Sequence, residues 1–165
     1  IIERGDACPI ESVKVECFGD NASDMRIASP DGREWWQPGS AQFTIDFSRR
    51  KVAAIVARGN RLVPSIVNDV CNEVGIRSDE IGTLITNQPN PTFLRNWREA
   101  LQVPEERHVH TFYEHGNLFG AAMPICLERA DDEGKLEDGS VVVLGGFSHA
   151  GDYAAAAAIR WREAA

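Results

Sequence analysis

The sequence predicts an α/β domain in which a mixed sheet is layered with helices, and three observations carry that expectation. Short stretches with period-two or continuous apolar character, such as residues 12–18, 81–86 and 140–144, read as strands. A run in which Val52, Ile55, Val56, Leu62, Val63, Ile66, Val67, Val70 and Val74 recur at helical spacing reads as a long helix. The two kinds of stretch then alternate to the end of the chain.

Taken in order, residues 12–18 set Val13, Val15 and Cys17 against Lys14 and Glu16, the pattern of a half-buried strand. Residues 19–39 are rich in Asp, Asn, Ser, Pro and Gly and read as loop, with one short strand near residues 25–28. Trp35 and Trp36 are expected to pack against the body of that loop. Residues 42–47 form a second alternating strand, with Phe43, Ile45 and Phe47 on one face. The long helix follows from Ser48, bent or broken near Gly59 and Pro64 because proline removes a backbone donor and crowds the preceding turn. Gly75 is its expected stop. Residues 81–86 are a buried strand that delivers Asn87. Residues 91–101 are a helix with Phe93, Leu94, Trp97 and Leu101 on one stripe, and residues 108–112 a brief strand. Residues 117–130 form a helix, residues 140–144 an apolar strand and residues 153–161 a closing strand despite its alanines.

The composition is that of a globular protein: 43% hydrophobic and 25% charged over 165 residues, which suits one domain over residues 1–165. A net charge of -8 argues against a general nucleic-acid binder, since phosphate contacts need a basic surface. No apolar run approaches the ~18 residues of a spanning helix. Cys8, Cys17, Cys71 and Cys126 lie far apart without a C-x-x-C pair and read as reduced thiols, which fits a cytoplasmic protein. The opening Ile1-Ile2 followed by Gly5-Asp6 reads as the end of a strand and its turn, as in a chain that starts within a larger fold.

Three loops carry the candidate chemistry, because strand ends are where α/β proteins assemble sites. The first is Asn87-Gln88-Pro89-Asn90, the second His115-Gly116-Asn117, and the third Gly145-Gly146-Phe147-Ser148-His149. The Asn117 amide can hydrogen-bond a thioester carbonyl or the enolate formed from it, or it can cap the following helix; on the residues alone capping weighs more. Gly120, Ala121 and Ala122 imply close packing of that helix against another backbone. Asn87 donates to a carbonyl or turns the chain before Pro89. Gly145 and Gly146 allow a backbone amide to approach a ligand closely, or form a simple turn. His115 and His149 are candidate acid, base or oxyanion donors. His108 and His110 have the spacing of a metal pair, but lack a third ligand at recognised spacing, so no metal site is expected. Cys71 and Cys126 sit on apolar helical faces and read as buried hydrophobes, which leaves the chain without a recognisable nucleophile.

The order of these loops resembles the carboxyl-terminal half of beta-ketoacyl-acyl carrier protein synthase III and its thiolase-fold relatives. In that family a strand ends in His-Gln-Ala-Asn, a later junction reads Gly-Asn-Thr-Ser-Ala-Ala, and a glycine-rich loop precedes the final strand. The counterparts are Asn87-Gln88-Pro89-Asn90, the segment from Gly116 through Ala122, and Gly145-Gly146-Phe147. The turn from Gly134 to Gly139 and the apolar residues Val141 to Leu144 are similar to the family's exposed turn and penultimate strand.

The resemblance implies a thiolase-like half-domain that packs on a similar amino-terminal half bearing the nucleophilic cysteine, the whole unit forming a homodimer. It implies acyl transfer or condensation on acyl thioesters, with acyl-CoA or the phosphopantetheine of an acyl carrier protein as substrate carrier and no cofactor or metal. In that reading Asn117 and Asn87 polarise the thioester carbonyl, Gly145, Gly146 and Phe147 bind substrate with a backbone amide completing an oxyanion hole, and His115 or His149 supplies proton chemistry. Asn87 stands where the family has its catalytic histidine, and an amide cannot shuttle a proton. The other reading is a non-catalytic thiolase-fold subunit that shapes an acyl tunnel or supports a partner.

Overall fold

The computed structural model describes residues 9–25, 27–34, 36–40, 42–45, 48–148 and 150–162. Its centre is a five-stranded sheet in the order β1-β7-β6-β4-β5, built from β1 (Ile10–Cys17), β4 (Thr83–Thr86), β5 (His108–Val109), β6 (Val141–Phe147) and β7 (Tyr153–Arg160). β4 runs parallel to both β5 and β6, while β7 runs antiparallel to β6 and to β1. A separate two-stranded ribbon joins β2 (Ile27–Ala28) to β3 (Thr44–Ile45). The mixed sheet layered with helices is thus the predicted class.

Consecutive strand residues point to opposite faces, and the core divides accordingly. Leu84, Val141, Val143, Ala154, Ala156 and Ala158 pack with α1 (Arg49–Glu73) and α2 (Pro91–Ala100). Ile85 and Val142 pack on the other face with Cys126 and Ala130 of α4 (Ala122–Asp132). Ala154, Ala156 and Ala158 of β7 are small because α1 lies directly over them. Gly145 shows how close that approach is: a Cβ there would sit 2.8 Å from Val67 Cγ2.

The long helix α1 runs as one element across Gly59 and Pro64, so of the bend or break expected there the break does not occur. Its buried stripe includes Leu62, Val63, Ile66, Val67 and Val70, and this burial outweighs the hydrogen bond that Pro64 cannot make. At Gly59 the absent side chain admits the rings of Phe93 and Phe147, and the Gly59 carbonyl accepts a hydrogen bond from Trp97 Nε1 at 2.8 Å. The helix stops as predicted, with Gly75 at φ +77°.

Strand β1 is where it was predicted, but with the opposite side buried. Ser12 is buried against α1, whereas Val13 and Val15 are 60% and 53% exposed. Ser12 Oγ donates to Glu73, and Lys14 pairs with the same carboxylate at 3.0 Å, so the polar side meets the end of α1. Val13 and Val15 lie opposite Ala157 and Ala155, on the sheet face that α4 covers farther along at β4 and β6, and no described helix reaches over these two valines. The expected strand over residues 42–47 shortens to β3, with Ile45 exposed, and Phe47 lies outside the described residues. Trp36 is 64% exposed, and Trp35 also lies outside the described residues, as do residues 1–8.

The predicted strand over residues 108–112 ends at Val109, and Phe112–His115 form the one-turn helix α3. The helix expected from Asn117 begins only at Ala122, after a 3-10 turn over Phe119–Ala121.

Candidate functional site

The parallel strands β4, β5 and β6 deliver their carboxyl ends to one edge of the sheet, and the three singled-out loops gather there. β4 ends at Thr86, and its last backbone contact to β6 is the Asn87 N–H donating to Gly145 O at 3.1 Å. The Asn87 side chain then continues the ladder. Its Nδ2 donates to Phe147 O at 3.1 Å, and its Oδ1 accepts from Phe147 N–H at 3.4 Å. The carboxamide therefore stands in for a peptide group at the next step of β4. One of its two N–H hydrogens remains for another acceptor.

Gly145 and Gly146 belong to β6 itself, paired with Ala156 and Ala155, rather than to a loop. A Cβ on Gly146 would lie 3.0 Å from both Asn87 Oδ1 and Met123 Cε. The bare backbone thus makes room for the Asn87 amide and for the first turn of α4. The glycines sit in close packing, and among the backbone amides near Gly146 the N–H of Phe147 is engaged by Asn87.

Asn117 is not the cap of α4, whose N-cap position is Ala121. Its Oδ1 accepts from Phe119 N–H at 2.9 Å, closing a turn over two residues, and its Nδ2 bonds no described residue. Phe119 holds φ +52°, a left-handed conformation uncommon for a side chain of that size. Of the small residues expected to pack closely, Ala122 is fully buried, whereas nothing lies within 4 Å of a Cβ built on Gly120.

Asn87 and Asn117 line one cavity of about 440 Å³, together with Asn90, Phe147 and Ser148. The rest of its wall is largely apolar, from Met25, Val52, Ile55, Val56, Phe93 and Met123. Among the described residues that line it, none is ionisable. The cavity offers side-chain amides within an otherwise largely apolar wall, which suits a polarised carbonyl attached to an apolar chain. Asn90 is held by its own duty, its Oδ1 capping α2 through Phe93 N–H at 3.0 Å, with Pro91 in the first turn.

The other candidates do not join this group. His115 is exposed on α3, 4.0 Å from Glu114, and does not line the cavity. His149 lies outside the described residues. His108 is buried with Nε2 3.2 Å from Thr86 Oγ1, and burial holds its imidazole down to about 3. Burial also lowers the pKa of His110, and among the described residues no set of three His, Cys, Asp or Glu side chains is grouped to hold a metal ion. Cys71 and Cys126 are buried, the Cys71 thiol pushed up to about 11 by desolvation, and Cys17 is exposed on β1; none of the three lines the cavity. The Ser148 hydroxyl is tied to Asp152 across the β6–β7 turn.

Sequence reasoning missed two features of the site. Phe93 and Ile55 read as core from helical spacing, and the same apolar stripe also forms the cavity wall. Gln88 read as loop, yet it is fully buried and bonded to Thr111, a role that no spacing rule signals.

Residues 71–161, more than half of the chain, match the family model described as 3-Oxoacyl-[acyl-carrier-protein (ACP)] synthase III C terminal. The beta-ketoacyl-[acyl-carrier-protein] synthase III of Synechocystis sp. is 30% identical over 99 residues, covering 60% of this chain and 30% of that protein. The solved synthase III from Thermus thermophilus superposes with a TM-score of 0.78 at 23% identity, covering 98% of this chain and 49% of that one. The corresponding structure from Pseudomonas aeruginosa gives 0.76 at 26% identity, covering 93% of this chain and 46% of that one. The chain therefore spans about half the length of the solved structures and 30% of the Synechocystis protein.

Proposed function

This chain belongs to the 3-oxoacyl-[acyl-carrier-protein] synthase III C-terminal family, with a thiolase-like fold, and from that premise we propose that it is the carboxyl-terminal part of an acyl-transferring or condensing enzyme. The enzyme acts on acyl thioesters presented by CoA or by a carrier-protein phosphopantetheine. A cysteine outside this chain attacks the thioester carbonyl, the thiolate of the carrier leaves, and the acyl group rests on that cysteine until an acceptor takes it. Asn117 donates its free Nδ2 hydrogens to the carbonyl oxygen as charge develops there, and the apolar wall holds the acyl chain.

The single observation behind this reading is the shared cavity of Asn87 and Asn117, lined otherwise by apolar side chains. A second observation supports an amino-terminal partner half: Val13 and Val15 are exposed beside the half-buried Ala155 and Ala157, and no described helix reaches over them. Uncovered apolar faces of this kind mark interaction surfaces. In this proposal the assembled unit is a cytoplasmic homodimer that needs no metal or cofactor. Among the described residues no helix is long and apolar enough to cross a membrane.

A non-catalytic role is the second reading, favoured by the engagement of both polar atoms of Asn87 with Phe147 and by the lack of an ionisable described group in the cavity. Intact mass of the assembled protein after incubation with acyl-CoA thioesters separates the two. An acyl adduct on a partner cysteine supports transfer. No adduct with any thioester sinks it and leaves the supporting role. Where turnover follows, Asn117→Asp retains the acceptor for Phe119 N–H but removes the donor, so it is expected to lower kcat on the order of a hundredfold with little loss of stability.

A further inference from the structure

We infer that Gln88 is a positioning residue whose buried carboxamide fixes the segment presenting Asn117 against the strand end presenting Asn87. The purpose of that placement rests on the acyl-transfer reading; the mechanical coupling does not. Gln88 is 0% exposed, an unusual place for a long polar side chain. Both ends of its amide go to one residue: Oε1 accepts from Thr111 N–H at 2.7 Å, and Nε2 donates to Thr111 Oγ1 at 3.2 Å.

The backbone pairing of β4 with β5 stops at Ile85 and Val109, so beyond that step these side-chain bonds hold the two strand ends together. Asn87 does the same on the opposite side, toward β6. Adjacent residues thus tie β4 to both of its neighbours.

From Thr111 to Asn117 the chain has little freedom. The Thr111 carbonyl accepts from the N–H groups of Glu114 and His115 at 3.1 and 3.0 Å, and Gly116 N–H bonds Phe112 O at 2.7 Å. Thr111 Oγ1 also lies 3.9 Å from Cys126 Sγ on α4. Glu114 forms a two-pronged pair with Arg129 of α4, which secures the far side of the same turn. A displacement of Thr111 is therefore passed to Asn117, and the separation of the two asparagines follows the Gln88 amide.

The test uses Gln88→Leu, which removes both bonds at similar bulk, Thr111→Val, which removes only the hydroxyl, and Thr111→Ser, which keeps every bonded atom. In the isotopically labelled chain the order parameter of the Asn117 backbone amide is expected to drop from ~0.85 to below ~0.6 in Gln88→Leu. Thr111→Val should loosen it less, and Thr111→Ser should match the parent. In the assembled protein with acetyl-CoA as probe, Gln88→Leu is expected to lower kcat on the order of tenfold to a hundredfold with KM within about twofold. Unchanged Asn117 order, with only the urea midpoint lowered, overturns the inference. If Gln88→Leu does not fold, Thr111→Val decides by the same readouts. If Asn117 loosens but even the parent turns over no thioester, the positioning role stands and the acyl-transfer reading falls.

Discussion

Asn87 bonds both the carbonyl and the N–H of Phe147, so one side chain joins the end of β4 to the end of β6 where the backbone ladder has run out. Position 87 thereby carries a structural duty beside any chemical one, at the place where the resemblance sets a histidine.

Replacing Asn87 by alanine leaves two partly buried backbone groups without their partner. A stability loss of about 1–3 kcal/mol is expected, read as a lowered urea midpoint at unchanged slope. Asn87→Asp keeps the acceptor but sets a carboxylate against Phe147 O, so its deficit should shrink when the acid is protonated at low pH.

The glycines divide by what surrounds them. Gly145→Ala drives a methyl to 2.8 Å from Val67 Cγ2, and a loss of about 1–3 kcal/mol is expected from overpacking. Gly120→Ala meets nothing within 4 Å and should be neutral or stabilising by up to about 1 kcal/mol. Thermal melting of the pair checks both.

Stability should fall as pH drops from about 6.5, because the unfolded chain takes up protons that the folded chain refuses. Burial holds His108 down to about 3, so it stays neutral in the fold while its unfolded counterpart charges. Its contribution is complete above the unfolded pKa and is lost toward the folded one, at up to about 1.4 kcal/mol per pH unit. Burial depresses His110 in the same direction. The carboxylates of Glu73 and Glu114, lowered chiefly by hydrogen bonds from Ser12 and Arg129, act at more acid pH. His108→Gln should flatten the dependence of the urea midpoint between about pH 6.5 and 5, leaving the part due to His110.

Native alkylation at mildly alkaline pH should label Cys17 and spare Cys71 and Cys126. Desolvation pushes the Cys71 thiol up to about 11 and also raises Cys126, and both lie in the core. Peptide mapping checks it: labelling of Cys71 or Cys126 at the Cys17 rate would contradict their placement.

The layered α/β class, the long helix, the strand carrying Val141 to Leu144 and the order of the three loops were all legible in the residue pattern. Hydrophobic period is a local property and survives without knowledge of the partner surface. The same locality explains its failures. Alternation in β1 located a strand but not its buried side, because only the tertiary structure shows that Glu73 receives Ser12 and Lys14 while Val13 and Val15 face away. Gly145 and Gly146 read as a loop because a sequence cannot show Val67, Asn87 and Met123 closing on them from distant segments. Only the packing of the folded chain reveals that Asn87 and Asn117 share a cavity, that His115 stays outside it, and that Gln88 bonds Thr111 in the core. A residue type names the bonds that a side chain can make; the packing of strands far apart in sequence selects the ones it does make.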